Sequence, residues 1–180
     1  MRIFFLGVWL LASLGTGDIR SIDWGNLTYP WPEGLRGSNS EETFTLTDGR
    51  IPFQRRPGGT LINMPVILAS VQYGDLTGDG HEDAVLVMDV ITGGSAAPGI
   101  VYVYRLYEAE PNLLLDFATG DRTDGGLRSI RIENGNLVVD INTPEGSQGD
   151  CCATQYVRTS YRWTPNGFVA ESRQTLWVPE

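Results

Sequence analysis

Short β-rich runs at regular intervals constrain the fold of this chain more than any other feature of its sequence. Runs of β-branched and aromatic residues begin near positions 66, 83, 100, 113, 129, 136, 155 and 168, and glycine, proline, asparagine or aspartate separate them. The chain has 180 residues, which is enough for one domain with a sizeable core. We therefore predict an all-β domain, an antiparallel meander that forms a sandwich, an open barrel or a partial propeller-like sheet.

The clearest hairpin lies in "SIRIENGNLVVDI". Its Asn134-Gly135 pair is typical of a two-residue type I′ turn, which places Ile132 opposite Leu137. The same register pairs Ile130 with Val139, so both apolar pairs lie on one face, as a half-buried hairpin requires.

Two further stretches have a predictable environment. The run "DAVLVMDVIT", Asp83 to Thr92, is nearly continuously apolar, so we expect a central strand covered on both faces. In "QYVRTSYRWTPNGFVAES" a second hairpin is predicted, with Val157 and Tyr161 on one face and Pro165-Asn166-Gly167 as the turn.

Residues 1–17 are predicted to be a secretory signal peptide. An apolar core from Ile3 to Leu14 follows Arg2, and this core is too short to span a bilayer comfortably. We therefore expect a secreted or periplasmic protein that is cleaved near Gly15 or Gly17. A retained N-terminal anchor is the alternative, and we expect no other membrane contact.

Residues 18–42 are predicted to form an extended N-terminal arm or linker, and residues 43–180 a single β domain. The arm is rich in glycine, proline, serine and acidic residues, but it contains Trp24, Tyr29 and Trp31, which we expect to dock on the core. The formal net charge of −9 argues against a nucleic-acid partner and against an anionic membrane surface.

The two cysteines, Cys151 and Cys152, are adjacent in sequence. In an exported protein, an even number of cysteines favours a disulfide. Neighbouring Cα atoms are only about 3.8 Å apart, so this vicinal bridge would be strained. Two free thiols or intermolecular pairing are the alternatives.

The stretch "YGDLTGDGHEDAVLVM", residues 73–88, carries the one candidate metal site. Oxygen atoms suit Ca²⁺, and the candidate ligands are the side chains of Asp75, Thr77, Asp79 and Asp83 and the backbone carbonyl of His81. Gly80 supplies the sharp turn that such a loop needs. An EF-hand is excluded because Leu86 stands where its bidentate glutamate would be. The alternatives are an acidic turn, in which Asp75 and Asp79 only accept hydrogen bonds from N–H groups of the loop, and a cation other than Ca²⁺.

The segment "DLTGDGHED" followed by "AVLVM" resembles the calcium loops of FG-GAP and VCBS-type repeats. In those repeats a D-x-D/N-x-D-G-x-x-D loop lies between two strands of a propeller blade and holds Ca²⁺. The resemblance therefore implies a structural calcium site here, with Thr77 in place of the usual aspartate or asparagine. Residues 66–170 are also similar to a group of uncharacterised exported bacterial proteins, on "GDLTGDGHEDAVLV", "TGGSA", "FATGDRTDGGL" and the double cysteine. That similarity implies no activity.

No catalytic constellation stands out in the sequence. His81 is the single histidine, and a loop position does not suit a Ser-His-Asp or Cys-His site. We therefore expect an exported non-catalytic protein, not an enzyme, whose calcium loop braces the fold. The alternative is a carbohydrate- or cell-envelope-binding module that uses exposed aromatics, with tryptophan candidates at Trp24, Trp31, Trp163 and Trp177. The oligomeric state is left open.

Overall fold

The computed structural model describes residues 17–36, 42–51, 65–91, 98–120, 125–143 and 153–179. Both cysteines, Cys151 and Cys152, lie outside these ranges, and so does the predicted signal peptide apart from Gly17. The predictions made for them are therefore not tested by the structure.

The described segments are mainly β-strands, with a few short helical turns near the N-terminus. The helical elements are two 3₁₀ turns, Ile19–Ser21 and Trp24–Asn26, and α1, Glu33–Arg36. The strands are β1 (Thr28–Pro30), β2 (Thr43–Thr45), β3 (Val66–Gly74), β4 (Asp83–Val90), β5 (Gly99–Tyr107), β6 (Glu110–Ala118), β7 (Leu127–Glu133), β8 (Asn136–Thr143), β9 (Gln155–Thr164) and β10 (Gly167–Trp177). Across the part of the chain described, no helix has the length and apolar character needed to cross a membrane.

Two four-stranded antiparallel meanders form the body of the protein. Sheet 1 has the order β3-β4-β5-β6, and sheet 2 has the order β7-β8-β9-β10. Their facing side chains form one apolar cluster, in which Val87 and Val101 of sheet 1 meet Leu137 and Val139 of sheet 2. The all-β prediction is confirmed, and of the three arrangements it allowed, the structure is a sandwich.

The β7–β8 hairpin has the predicted register. Ile132 pairs with Leu137 and Ile130 with Val139. The turn residues Asn134 and Gly135 have φ values of 51° and 74°. Both therefore lie in the left-handed region that a type I′ turn requires, which explains why the sequence specifies this hairpin so clearly.

The β9–β10 hairpin differs from its prediction by one residue. Thr164 pairs directly with Gly167, so the turn consists of Pro165 and Asn166 alone. Gly167 is already part of β10, with a φ of 109° that favours glycine. The glycine therefore permits an unusual backbone conformation at the first strand residue.

Strand β4 is central and covered on both faces, as predicted. Of its eight residues only Asp89 is exposed. Val85 and Val87 face sheet 2, whereas Leu86 and Met88 belong to a second apolar cluster on the opposite side. Sheet 1 is therefore the middle one of three layers.

The third layer is the N-terminal segment, which we call the N-terminal layer (residues 17–36 and 42–51). Trp24, Tyr29 and Trp31 are all buried against the outer face of sheet 1, which confirms the expected docking. The hydroxyl of Tyr29 donates a hydrogen bond to the carbonyl of Trp24. The hydroxyl of Tyr102, on β5, donates to the carbonyl of Pro30 at 2.6 Å. The hydrogen bond from Tyr102 thus joins sheet 1 to the N-terminal layer, whereas the one from Tyr29 lies within the N-terminal layer.

Candidate functional site

The acidic loop, residues 75–82 together with Asp83, connects the first two strands of sheet 1. Gly78 and Gly80 have φ values of 74° and 84°, in the left-handed region. A Cβ atom at either position would meet no atom within 4 Å. Glycine is therefore favoured here by backbone conformation rather than by lack of space, and it lets the chain wrap tightly.

The carboxylates of Asp75 and Asp79 turn towards the loop's own backbone. Asp75 accepts hydrogen bonds from the N–H groups of Gly78 at 2.6 Å and Gly80 at 3.0 Å, one on each oxygen. Asp79 accepts one from the N–H of His81 at 2.9 Å. These are the hydrogen bonds expected of an acidic turn.

Asp83 closes the loop from the start of β4. Its side chain accepts hydrogen bonds from the N–H groups of Leu76 at 2.8 Å and Thr77 at 2.9 Å, both on the same oxygen. The residue is only 1% exposed, and none of the described basic side chains forms an ion pair with it. Burial raises the pKa of Asp83, although the two N–H donors oppose this effect. Its negative charge is therefore held in a poorly solvated position.

Neighbouring layers hold the loop in place on both sides. Leu76 is 3% exposed and packs into the cluster between the sheets. Glu82 forms a two-point ion pair with Arg20 of the N-terminal layer, whose guanidinium also lies 4.5 Å from the ring centroid of Tyr73. Gly135, in the β7–β8 turn of sheet 2, lies against the backbone of Asp75. The loop therefore contacts all three layers.

All five predicted metal-site residues lie in this loop. Thr77 is half-buried, and His81 is exposed. Among the described residues, no group of three or more His, Cys, Asp or Glu side chains is arranged to hold a metal ion as it stands. The calcium site therefore stays a prediction.

Sequence reasoning missed a polar cluster on the outer face of sheet 2. The side chain of Asp140 is only 4% exposed, and Arg158 donates two hydrogen bonds of 2.9 Å to it. Arg131 and Ser129 also donate to it, at 3.2 and 2.9 Å. The hairpin register already predicted would have placed Ser129 beside Asp140, but the pairing with Arg158 depends on how β9 joins β8.

The four tryptophans considered for sugar binding do not form one surface. Trp24 and Trp31 are buried, and Trp163 is half-buried, with its ring 5.1 Å from that of Phe168. Trp177 is 70% exposed at the end of β10. The carbohydrate-binding alternative therefore has a single well-exposed tryptophan to rest on among the described residues.

A cavity of about 380 Å³ opens on the inner face of sheet 2. Its walls include Ile141, Val157 and Ala170, and Arg173 and Tyr161 are its ionisable lining residues. Among the described residues, the lining includes no carboxylate, histidine or cysteine side chain, so these residues offer no acid–base pair.

Comparison with protein-family models and with curated proteins finds no match for the chain.

Proposed function

We propose that this chain is an exported, non-catalytic β-domain protein in which the acidic loop is a calcium-type brace. The ion would be held by Asp75, Asp79 and Asp83, with Thr77 and the carbonyl of His81 as further oxygen donors. The observation that carries the proposal is the position of Asp83, a buried carboxylate with backbone N–H donors and no basic partner among the described side chains.

The chemistry of the donor set suits calcium. Ca²⁺ takes six to eight oxygen ligands, and an ionised carboxylate has about four acceptor positions. The backbone N–H groups use two of these positions on Asp75, one on Asp79 and two on Asp83. Acceptor capacity therefore remains on each of the three carboxylates.

The place of the loop in the fold also supports the proposal. It lies between consecutive strands, β3 and β4, of a four-stranded antiparallel meander. This is the position that the resemblance to FG-GAP and VCBS-type repeats implies. An ion there would tie the ends of β3 and β4 together, and β4 is the strand on which both apolar clusters converge.

The role of the ion would be thermodynamic. A ligand that binds the folded state but not the unfolded state stabilises the fold by an amount set by its concentration relative to Kd. Calcium would offset the cost of burying the charge of Asp83 and would reduce repulsion between the three aspartates. The expected consequence is a fold whose stability depends on calcium.

We expect Ca²⁺ at about ten times Kd to add about 1.4 kcal/mol of stability, which raises Tm by roughly 3–6 °C in a domain of this size. Asp79→Ala should remove this calcium-dependent rise, because it deletes one carboxylate of the site. Differential scanning calorimetry in calcium and in chelator measures both effects.

Asp89→Ala is the matched control, since Asp89 is an exposed aspartate at the other end of β4. This variant should retain the calcium-dependent rise in Tm. The same Tm for the unaltered chain in calcium and in chelator would contradict the proposal, and so would a full rise in Asp79→Ala.

A further inference from the structure

Strand β10 is an exposed edge of sheet 2. Its residues from Val169 to Thr175 are all exposed, and Trp177 follows them with 70% of its surface accessible. Among the described residues, nothing pairs with the side of β10 that faces away from β9. The edge of sheet 1 at β3 differs, because residues 49–51 cover it: the N–H of Leu68, for example, donates to the carbonyl of Gly49 at 2.8 Å.

The hydrogen bond that follows the last residue of β10 shows which of its residues point their backbone N–H and C=O groups towards β9. The N–H of Val178 donates to the carbonyl of Thr154 at 2.8 Å, so residue 178 points its backbone groups towards β9. Because this direction alternates along a strand, residues 172, 174 and 176 also point inward. Arg173, Thr175 and Trp177 therefore present their N–H and C=O groups to the open edge.

Two features limit the length of edge that a partner strand can use. A β-bulge interrupts the β9–β10 register between Ala170 and Ser172. Pro179 follows the strand and has no N–H to donate. Bulges, charges and prolines are devices that restrict pairing at sheet edges. The regular stretch left between them spans residues 172–178.

We propose that this stretch pairs with the same stretch of a second copy of the chain, antiparallel and centred on Thr175. In this register Thr175 lies opposite its own copy, and Arg173 of each copy lies opposite Trp177 of the other. All three residues offer outward backbone groups, so the pairing forms six hydrogen bonds across a twofold axis. The two copies of sheet 2 then form one continuous eight-stranded sheet.

Side-chain chemistry favours this register and this partner. Arg173, Thr175 and Trp177 pair with Thr159, Val157 and Gln155 of β9, so their side chains share one face of sheet 2. Directly opposite residues in an antiparallel pair place their Cα atoms about 5.5 Å apart when hydrogen-bonded. The guanidinium of Arg173 therefore reaches the exposed ring of Trp177 in the other copy, which gives two cation–π contacts per dimer.

Proline substitution tests the pairing without disturbing the monomer. Thr175→Pro removes an outward N–H and leaves the bonds to β9 intact, whereas Thr175→Val keeps that N–H. A contact of this size is smaller than the roughly 1,000 Å² of a stable interface, so we expect weak association. Sedimentation velocity of the mature chain up to about 1 mM should show a rising average mass for the unaltered chain and Thr175→Val, and a constant monomer mass for Thr175→Pro.

Cysteine cross-linking tests the register. In a Cys151→Ser/Cys152→Ser background, Thr175→Cys places the Cα atoms of the two introduced cysteines about 5.5 Å apart, within the usual range for a disulfide. Arg173→Cys separates its two copies by four residue steps, about 13 Å. Mild oxidation should therefore yield covalent dimers of Thr175→Cys and no covalent dimer of Arg173→Cys.

Three results would overturn the proposal: a monomeric mass at every concentration, equal association of the proline and valine variants, or equal cross-linking at positions 173 and 175. The first would leave the β10 edge to a strand from a different protein. None of these results bears on the calcium loop, which lies at the opposite end of β10 from Trp177.

Discussion

Replacing Tyr29 by alanine is expected to lower the free energy of unfolding by about 3–5 kcal/mol, the usual cost of removing a buried aromatic side chain. Tyr29 is fully buried between the N-terminal layer and sheet 1. Its ring lies 5.3 Å from that of Tyr102 and 5.7 Å from that of Phe44. Alanine would leave a cavity at the centre of this contact, and urea denaturation would measure the loss.

Tyr29→Phe is the matched control, because it keeps the ring and removes only the hydroxyl. The hydrogen bond to the carbonyl of Trp24 is then lost, for which we expect about 1–2 kcal/mol. A cost below 1 kcal/mol for the alanine variant would show that the N-terminal layer is not an integral part of the core.

Replacing Asp140 by alanine is expected to lower the free energy of unfolding by about 2–4 kcal/mol. Removing one partner of a buried ion pair typically costs about 3–5 kcal/mol. Here the side chains of Arg131 and Arg158 stay about a third exposed, and water can solvate them once the carboxylate is gone. The exposed pair of Arg162 and Glu171 provides the control, since Glu171→Ala should change stability by less than about 1 kcal/mol.

The loss of stability caused by Asp140→Ala should become smaller at acidic pH. Burial alone would raise the pKa of Asp140, but hydrogen bonds from Arg158 and Ser129 and the charge of Arg158 outweigh it and lower the pKa. A carboxyl with a lowered pKa in the folded state contributes stability above its unfolded pKa, about 3.9, and loses it as pH falls further. The stability difference between the unaltered chain and Asp140→Ala should therefore be constant above about pH 5 and shrink below about pH 4.

Urea denaturation of both chains between pH 2.5 and 7 would measure this difference. A difference that stays constant through the acidic range would contradict the ionic role of Asp140. It would leave only the lost volume of the side chain as the cause of destabilisation.

The strands of the sandwich could be predicted because their determinants are local. The predicted starts near positions 66, 83, 136 and 155 match β3, β4, β8 and β9, and the other four lie within three residues of a strand start. The Asn134-Gly135 turn fixed its register because few residue pairs accept two left-handed conformations. The same reasoning overextended the Pro165-Asn166 turn, because a glycine with positive φ can also begin a strand.

The polar contacts were not predictable in the same way, because they depend on pairing between distant segments. Asp140 meets Arg158 only through the register of β8 against β9. In the acidic loop, the sequence supplied the aspartates and glycines, but it left open where the carboxylates would point. That orientation depends on the backbone conformation at Gly78 and Gly80, which turns the carboxylate of Asp75 onto the N–H groups of these two glycines.

Isothermal titration calorimetry would detect calcium binding by the acidic loop without relying on a change in stability. The protein, stripped of divalent ions with chelator, would be titrated with Ca²⁺ at neutral pH. We predict one ion per chain with a Kd of about 10⁻⁴–10⁻³ M, the range of extracellular calcium modules, and no binding by Asp79→Ala. The absence of calcium binding at concentrations up to about 10 mM, well above that range, would contradict a calcium site and leave the loop as an acidic turn closed by its own backbone.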